Sequence, residues 1–184
     1  MASRFVDVLD TNAAERRRLV ALVEGLSQSA ADWRPGPDDW SIGEVAHHVI
    51  LAEESMRTAV ERSVARHAAG KRFEPMPDAE RALPFAELAA RRGTPATAPL
   101  RHPEIVTPTR GRAVGDLVLE LERGAAVSRA AFEALDPDLL RRLTCPHPLF
   151  GVLTLYQWVE LVGSHDRTHA DQIAQVRRRP GFPG

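Results

Sequence analysis

The chain of 184 residues holds a single cysteine, Cys145, so no internal disulfide can form. That fits a reducing cytosol. Excess charge of either sign is also missing: 24 basic side chains stand against 25 acidic ones, a formal net charge of −1. The chain as a whole therefore has no electrostatic attraction for nucleic acid or an anionic membrane. The triplets Arg16-Arg17-Arg18 and Arg177-Arg178-Arg179 are expected to be solvated helix faces or ends, not a nucleic-acid footprint. No apolar run approaches the roughly 18 residues of a membrane span. Charges interrupt the first residues, MASRFVDVLD, so no signal peptide is expected. No segment alternates apolar and polar residues for long enough to read as a strand, and no internal repeat is present. These absences leave a cytoplasmic, all-α chain as the expectation. One domain, 1–184, is long enough to bury a core without disulfides.

Helical periodicity is what the sequence does contain. Four segments carry it, roughly 3–28, 41–69, 111–135 and 154–179. Their apolar stripes include Leu9, Leu19 and Val23; Val45, Val49 and Met56; Leu117, Leu121 and Phe132; and Trp158, Val162 and Ile173. Two of the four begin with a capping box. In WSIGEV, Ser41 caps and Glu44 reaches back; in LTLYQW, Thr154 caps and Gln157 reaches back. Each box satisfies N–H groups that a helix start leaves without a partner. The expected fold is a four-helix bundle.

The connections are unequal. Pro35, Gly36 and Pro37 enforce a turn between helices one and two. About forty residues separate helices two and three, with prolines at 75, 77, 84, 95, 99, 103 and 108. DAERALPFAELAARRG within this stretch is a candidate short helix. So long a proline-rich connection permits a crossover, and the helices need not run simply up and down.

Seven histidines are present: 47, 48, 67, 102, 147, 165 and 169. On a helical wheel centred on Val162, at about 100° per residue, His169 falls about 20° and His165 about 60° from the core direction. On helix two, centred on Val45, His48 falls about 60° from the core direction and His47 about 160° away. His48, His165 and His169 are thus candidates to face one another, while His47 is expected in solvent. Three imidazoles suit Zn²⁺, Ni²⁺ or Fe²⁺ and leave coordination positions open to water or substrate. Without an ion, three inward imidazoles would each need a hydrogen-bond partner. HDRTH, residues 165–169, has the outline of the zinc-protease motif HExxH, with Asp166 in place of Glu. Asp is shorter by a methylene and no substrate-binding strand is expected, so proteolysis is not the reading. Asp166 is a candidate base or outer-sphere residue, or else the partner of a neighbouring arginine.

WSIGEVAHHVILAEE resembles the second helix of the DinB-like superfamily, where a metal-ligand histidine follows the tryptophan by eight residues; here that residue is His48. HPLFGVLTLYQWVELVGSHDRTHADQI resembles the family's last helix and the turn before it. The matching residues are His147, Pro148, Phe150, Gly151, Trp158, His165, His169, Gln172 and Ile173. The resemblance spans nearly the whole chain. It implies a four-helix bundle, commonly a homodimer, with a three-histidine divalent-metal site. It also implies chemistry with low-molecular-weight thiols, transferred to electrophiles or used in isomerisation. His147 then shapes the entry to helix four. Cys145 has nothing nearby in sequence to lower its pKa and is not expected to be a nucleophile. His67 and His102 are expected at the surface.

Three functions follow as expectations. The first is a metal-dependent transferase acting on a small thiol and an electrophile. The second is a metal-dependent hydrolase that activates water, with Asp166 as a possible base. The third is a non-catalytic stress-response or binding bundle.

Overall fold

A computed structural model describes residues 4–93 and 104–184. His102 and the prolines at 95, 99 and 103 lie outside the described residues. Four long helices form the bundle: α1 (Phe5–Val23), α3 (Ile42–Ala68), α6 (Val114–Glu133) and α8 (Leu155–Val176). Shorter elements connect them: α2 (Gln28–Asp32), α4 (Asp78–Arg81), α5 (Phe85–Arg92), a 3₁₀ turn at Glu104–Val106, and α7 (Pro137–Arg142). α1 ends earlier than its periodicity predicts, because Gly25 takes a positive φ of 76° just past the C-cap. Ser27 then caps α2, accepting from the Ala30 N–H.

Both capping boxes form as expected. The Ser41 hydroxyl accepts from the Glu44 N–H and the Glu44 carboxylate from the Ser41 N–H; Thr154 and Gln157 repeat the exchange. Gln157 does a second job. Its Nε2 donates to the carbonyls of Glu80 and Leu83, at 3.0 and 2.8 Å, tying the connection before α5 to the start of α8.

Two apolar clusters give the helix directions. One joins Val8 and Leu9 of α1, Met56 and Val60 of α3, Phe132 of α6, and the start of α8 from Leu155 to Val162. The other joins Leu19 to Val23, Ile42 to Val49, Leu117 and Leu121, and Ala170 to Val176. Thus α1 and α8 run one way, and α3 and α6 the other. Around the bundle, α8 lies beside α1 and α3, while α6 lies beside the same two. The consecutive pairs α1–α3 and α6–α8 therefore sit diagonally opposite, while α3 and α6 are side by side. Because α3 and α6 are parallel, the chain must travel back along a 27-residue helix, about 40 Å, before α6 can begin. This is the work of the proline-rich connection.

One expectation fails here: the chain is not without strands. β1 (Thr144–His147) and β2 (Gly151–Thr154) pair antiparallel, with Thr144 opposite Thr154 and His147 opposite Gly151. Four residues apiece are too few for an alternating pattern to register, and Pro146 argues against a strand. A three-residue loop closes the hairpin, and Gly151 supplies the positive φ of 70° it requires.

α1 and α8 pack tightly at Gly163. A β-carbon there would lie 2.3 Å from Asn12 Oδ1 and 3.2 Å from Asn12 Cα. Asn12 is held in place, since its Nδ2 donates to the Val159 carbonyl at 2.9 Å. Gly163→Ala will push the two helices apart and destabilise the fold by about 1–3 kcal/mol, read as a lower urea midpoint.

Candidate metal centre

His48 lies two turns into α3, and His165 and His169 lie on α8, on the side where these two antiparallel helices meet. The capping boxes fix where both helices start, and hence where the rings come. One ring nitrogen from each of the three lies within 4.8 Å of the other two. His165 Nε2 and His169 Nε2 are 3.1 Å apart. That is close to the roughly 3.3 Å between two nitrogens in a tetrahedral zinc site with bonds near 2.0 Å. The ring centroids of His48 lie 5.3 Å from His165 and 4.9 Å from His169.

Two of the rings are oriented by outer partners. His48 Nδ1 donates to the Val106 carbonyl at 2.9 Å, from the 3₁₀ turn of the returning connection. His169 Nδ1 donates to Gln172 Oε1 at 2.8 Å, one turn further along α8. In a neutral imidazole each arrangement leaves the Nε2 lone pair available. The third ring, His165, has its buried Nδ1 without a hydrogen-bond partner among the described residues. Burial disfavours the charged form of two of the rings: it holds His169 down to about 4 and, helped by the neighbouring rings, His165 well below the usual histidine range. Close-set imidazoles, two of them with Nδ1 held from outside, are a donor set that suits a divalent cation. The orphaned His165 nitrogen shows how little hydrogen bonding alone does for this cluster. Trp40, half-buried, adds an aromatic wall with its ring 4.9 Å from His48.

Asp166 is placed elsewhere. It is 2 % exposed, and both carboxylate oxygens accept from Arg16, at 2.9 and 3.1 Å. It lines a groove of about 460 Å³ between α1 and α6, which none of the three histidines borders. Among the described residues the cluster that can hold a metal is His48, His165 and His169 without Asp166.

Arg16 itself corrects the reading of the arginine triplets: it is 3 % exposed, while Arg17, Arg18 and Arg177 to Arg179 are exposed. The signal was there, a charged residue on the apolar stripe between Leu9 and Val23. His47 is a second correction. It is buried, at 7 % exposure, and its Nδ1 accepts from the Thr109 N–H at 2.8 Å. The wheel assumed one buried face on α3, but the returning connection covers another. His67 is exposed, as expected.

His147 does shape the entry to α8. Its Nδ1 accepts from the backbone N–H groups of Leu149 and Phe150, at 3.1 and 3.4 Å, and its ring packs against Phe150 and Trp158. Trp158 Nε1 donates to the Cys145 carbonyl at 3.0 Å, closing the hairpin onto the helix. Burial lowers the His147 pKa to about 4. Protonation would also place a hydrogen against two N–H donors. An unfolded chain takes up that proton near pH 6.5, so the stability this ring confers is full above that pH and is lost as pH falls towards 4. Between pH 7 and pH 5 the loss will be about 2 kcal/mol in urea unfolding, and His147→Phe will remove that part of the slope.

A helical bundle with two parallel and two antiparallel neighbours and a three-histidine cluster between α3 and α8 defines a class of candidate metal-binding bundles. The DinB superfamily model matches residues 12–173, and the chain belongs to that family. It is 27% identical over 158 residues to the uncharacterized protein YuaE of Bacillus subtilis (strain 168), covering 85% of this chain and 89% of that one. Two solved structures share the fold. TT2238, a four-helix bundle protein, aligns with a TM-score of 0.61 at 19% identity, over 94% of this chain and 99% of that one. YfiT from Bacillus subtilis, described as a probable metal-dependent hydrolase with an unusual four-helix bundle topology, aligns with a TM-score of 0.66 at 14% identity, over 99% and 91%. No helix among the described residues is long and apolar enough to cross a membrane.

Proposed function

We propose that the protein is a divalent-metal-dependent transferase that joins a low-molecular-weight thiol to an electrophile, with His48, His165 and His169 as the metal ligands. The observation that carries the reading is the close-set donor cluster: Val106 and Gln172 hold two imidazoles with Nε2 available, and among the described residues the third ring has no hydrogen-bond partner at Nδ1. Zn²⁺, Ni²⁺ and Fe²⁺ all suit three imidazoles. Once bound, the ion would supply Lewis acidity that keeps a small thiol deprotonated near neutral pH. The chain's own part is to orient the three rings and, through Trp40, to wall one side of the site. The carboxylate nearest in sequence, Asp166, is engaged by Arg16 and serves as an outer support in this reading, not as the base.

A metal-dependent hydrolase is the second reading, favoured by the description of the fold relative YfiT. Elemental analysis of the native protein, followed by turnover of esters, amides and electrophiles with and without added thiol, separates the two. Turnover of electrophiles that needs both metal and thiol is expected. Ester or amide cleavage indifferent to thiol overturns the transferase reading in favour of the hydrolase. A metal-loaded protein inert to every substrate leaves the non-catalytic bundle.

A further inference from the structure

Between the two apolar clusters lies one buried polar layer. Arg16 of α1 reaches across the bundle with every guanidinium nitrogen engaged. Its Nε and one terminal nitrogen fork onto Asp166 of α8, at 2.9 and 3.1 Å. The same terminal nitrogen pairs with Glu53 of α3 at 2.6 Å, and the other donates to the Leu121 carbonyl of α6 at 2.7 Å. Gly124 of α6 makes room, for a β-carbon there would lie 3.2 Å from Glu53 Oε2. Arg16, Glu53 and Asp166 are 3, 3 and 2 % exposed. A single planar cation thus touches all four long helices.

Stability does not account for this arrangement. A buried ionic triad is commonly no more stable than apolar side chains of the same volume, and register is its best-attested use. Here the layer is also unbalanced, with two carboxylates against one guanidinium. The two carboxylates sit on the helices that carry the histidines. Asp166 follows His165 directly, and Glu53 lies five residues past His48. Apolar packing between α3 and α8 is non-directional and permits small axial slips. A metal site does not tolerate such slips, because its ligand distances must hold within about 0.2 Å.

We propose that Arg16, Glu53 and Asp166 are positioning residues for the three-histidine site: they lock α3 against α8 in ligand register. The inference rests on the metal reading of His48, His165 and His169. The layer is no ligand and no catalytic group. It acts through helix placement, so its removal is felt as metal affinity before it is felt as loss of fold.

The test uses Co²⁺ alone as probe, titrated into the metal-stripped full chain and followed by its visible absorption, with thermal unfolding of the metal-free protein in parallel. The triple variant Arg16→Met, Glu53→Leu, Asp166→Leu is expected to keep helical circular dichroism and a Tm near that of the parent, while binding Co²⁺ about 10–100-fold more weakly, the range found when outer-sphere partners of a metal are removed. The isosteric pair Glu53→Gln and Asp166→Asn, each alone, preserves shape and removes charge; each is expected to weaken Co²⁺ binding about tenfold. These two variants carry the test if the triple variant does not fold. Folded variants that bind Co²⁺ as tightly as the parent overturn the inference and leave the metal reading intact. A parent chain whose Co²⁺ binding is unchanged by His169→Ala overturns the metal reading itself, and this inference with it.

Discussion

Replacing His48, His165 and His169 together by alanine will abolish retention of divalent metal, and His169→Ala alone will weaken Co²⁺ binding by about a hundredfold or more. The single loss should exceed the 10–100-fold typical of outer-sphere partners, because it removes a donor atom. Gln172→Ala, which only frees the His169 ring, belongs at the lower end of that range, about tenfold. The graded series matters. Metal held adventitiously by surface histidines such as His67 would survive the triple substitution, whereas metal held by the α3–α8 cluster would not. Elemental analysis after dialysis and Co²⁺ titration read both. An unchanged metal content in the triple variant would remove the ground for every catalytic reading above. The variant should still fold, since truncating neutral rings leaves no unpaired charge behind.

The largest loss of stability is expected from Arg16→Met. It strands Glu53 and Asp166 in the interior, 3 and 2 % exposed, without their counter-ion. Breaking a buried ion pair by removing one partner costs about 3–5 kcal/mol. Against a typical total of about 5–15 kcal/mol, that is a substantial part of the fold. The pH dependence tells this apart from simple loss of packing. Burial already pushes Asp166 up to about 6, against the opposing pull of Arg16. Without Arg16 that pull is gone and its pKa rises further. A carboxylate whose folded pKa lies above its unfolded value favours the fold at low pH and loses that advantage as pH rises through the window between the two. Relative to the parent at the same pH, Arg16→Met should therefore be less destabilised at pH 5 than at pH 7, opposite in direction to the His147 effect. Urea unfolding at the two pH values reads it. A deficit against the parent that is equal at both pH values would mean that the lost contacts, not the stranded carboxylates, set the cost.

What could be read from the sequence, and what could not, divides along physical lines. The four long helices were legible because their periodicity is local and two of them carry reciprocal caps whose partners lie three residues apart. The three histidines were legible for the same reason, since a wheel needs only the helix it describes. His47 was misjudged because its burial comes from Thr109, more than sixty residues on, in a connection without periodicity. Arg16 was misjudged because its partner Asp166 lies 150 residues away, and a triplet of arginines looks solvated until that partner is placed. The hairpin was missed because four-residue strands, one holding a proline, leave no pattern to detect. The loss is thus of interactions that the bundle brings together, not of those a helix makes with itself.

The order of helices around the bundle bears on how the molecule is made. The most extensive helix pairing joins α1 to α8, and contacts such as Arg16 to Asp166 span 150 residues. Neither α1–α3 nor α6–α8 can dock as a local hairpin, since each pair ends up on a diagonal. A nascent chain that has emerged only through α6 lacks α8, the second neighbour of both α1 and α3, and holds only one of the three histidines. Loop-closure entropy is then met late and nearly all at once. This bundle should fold more slowly than an up-and-down bundle of equal length and stability, and its histidine cluster should assemble only with the last helix.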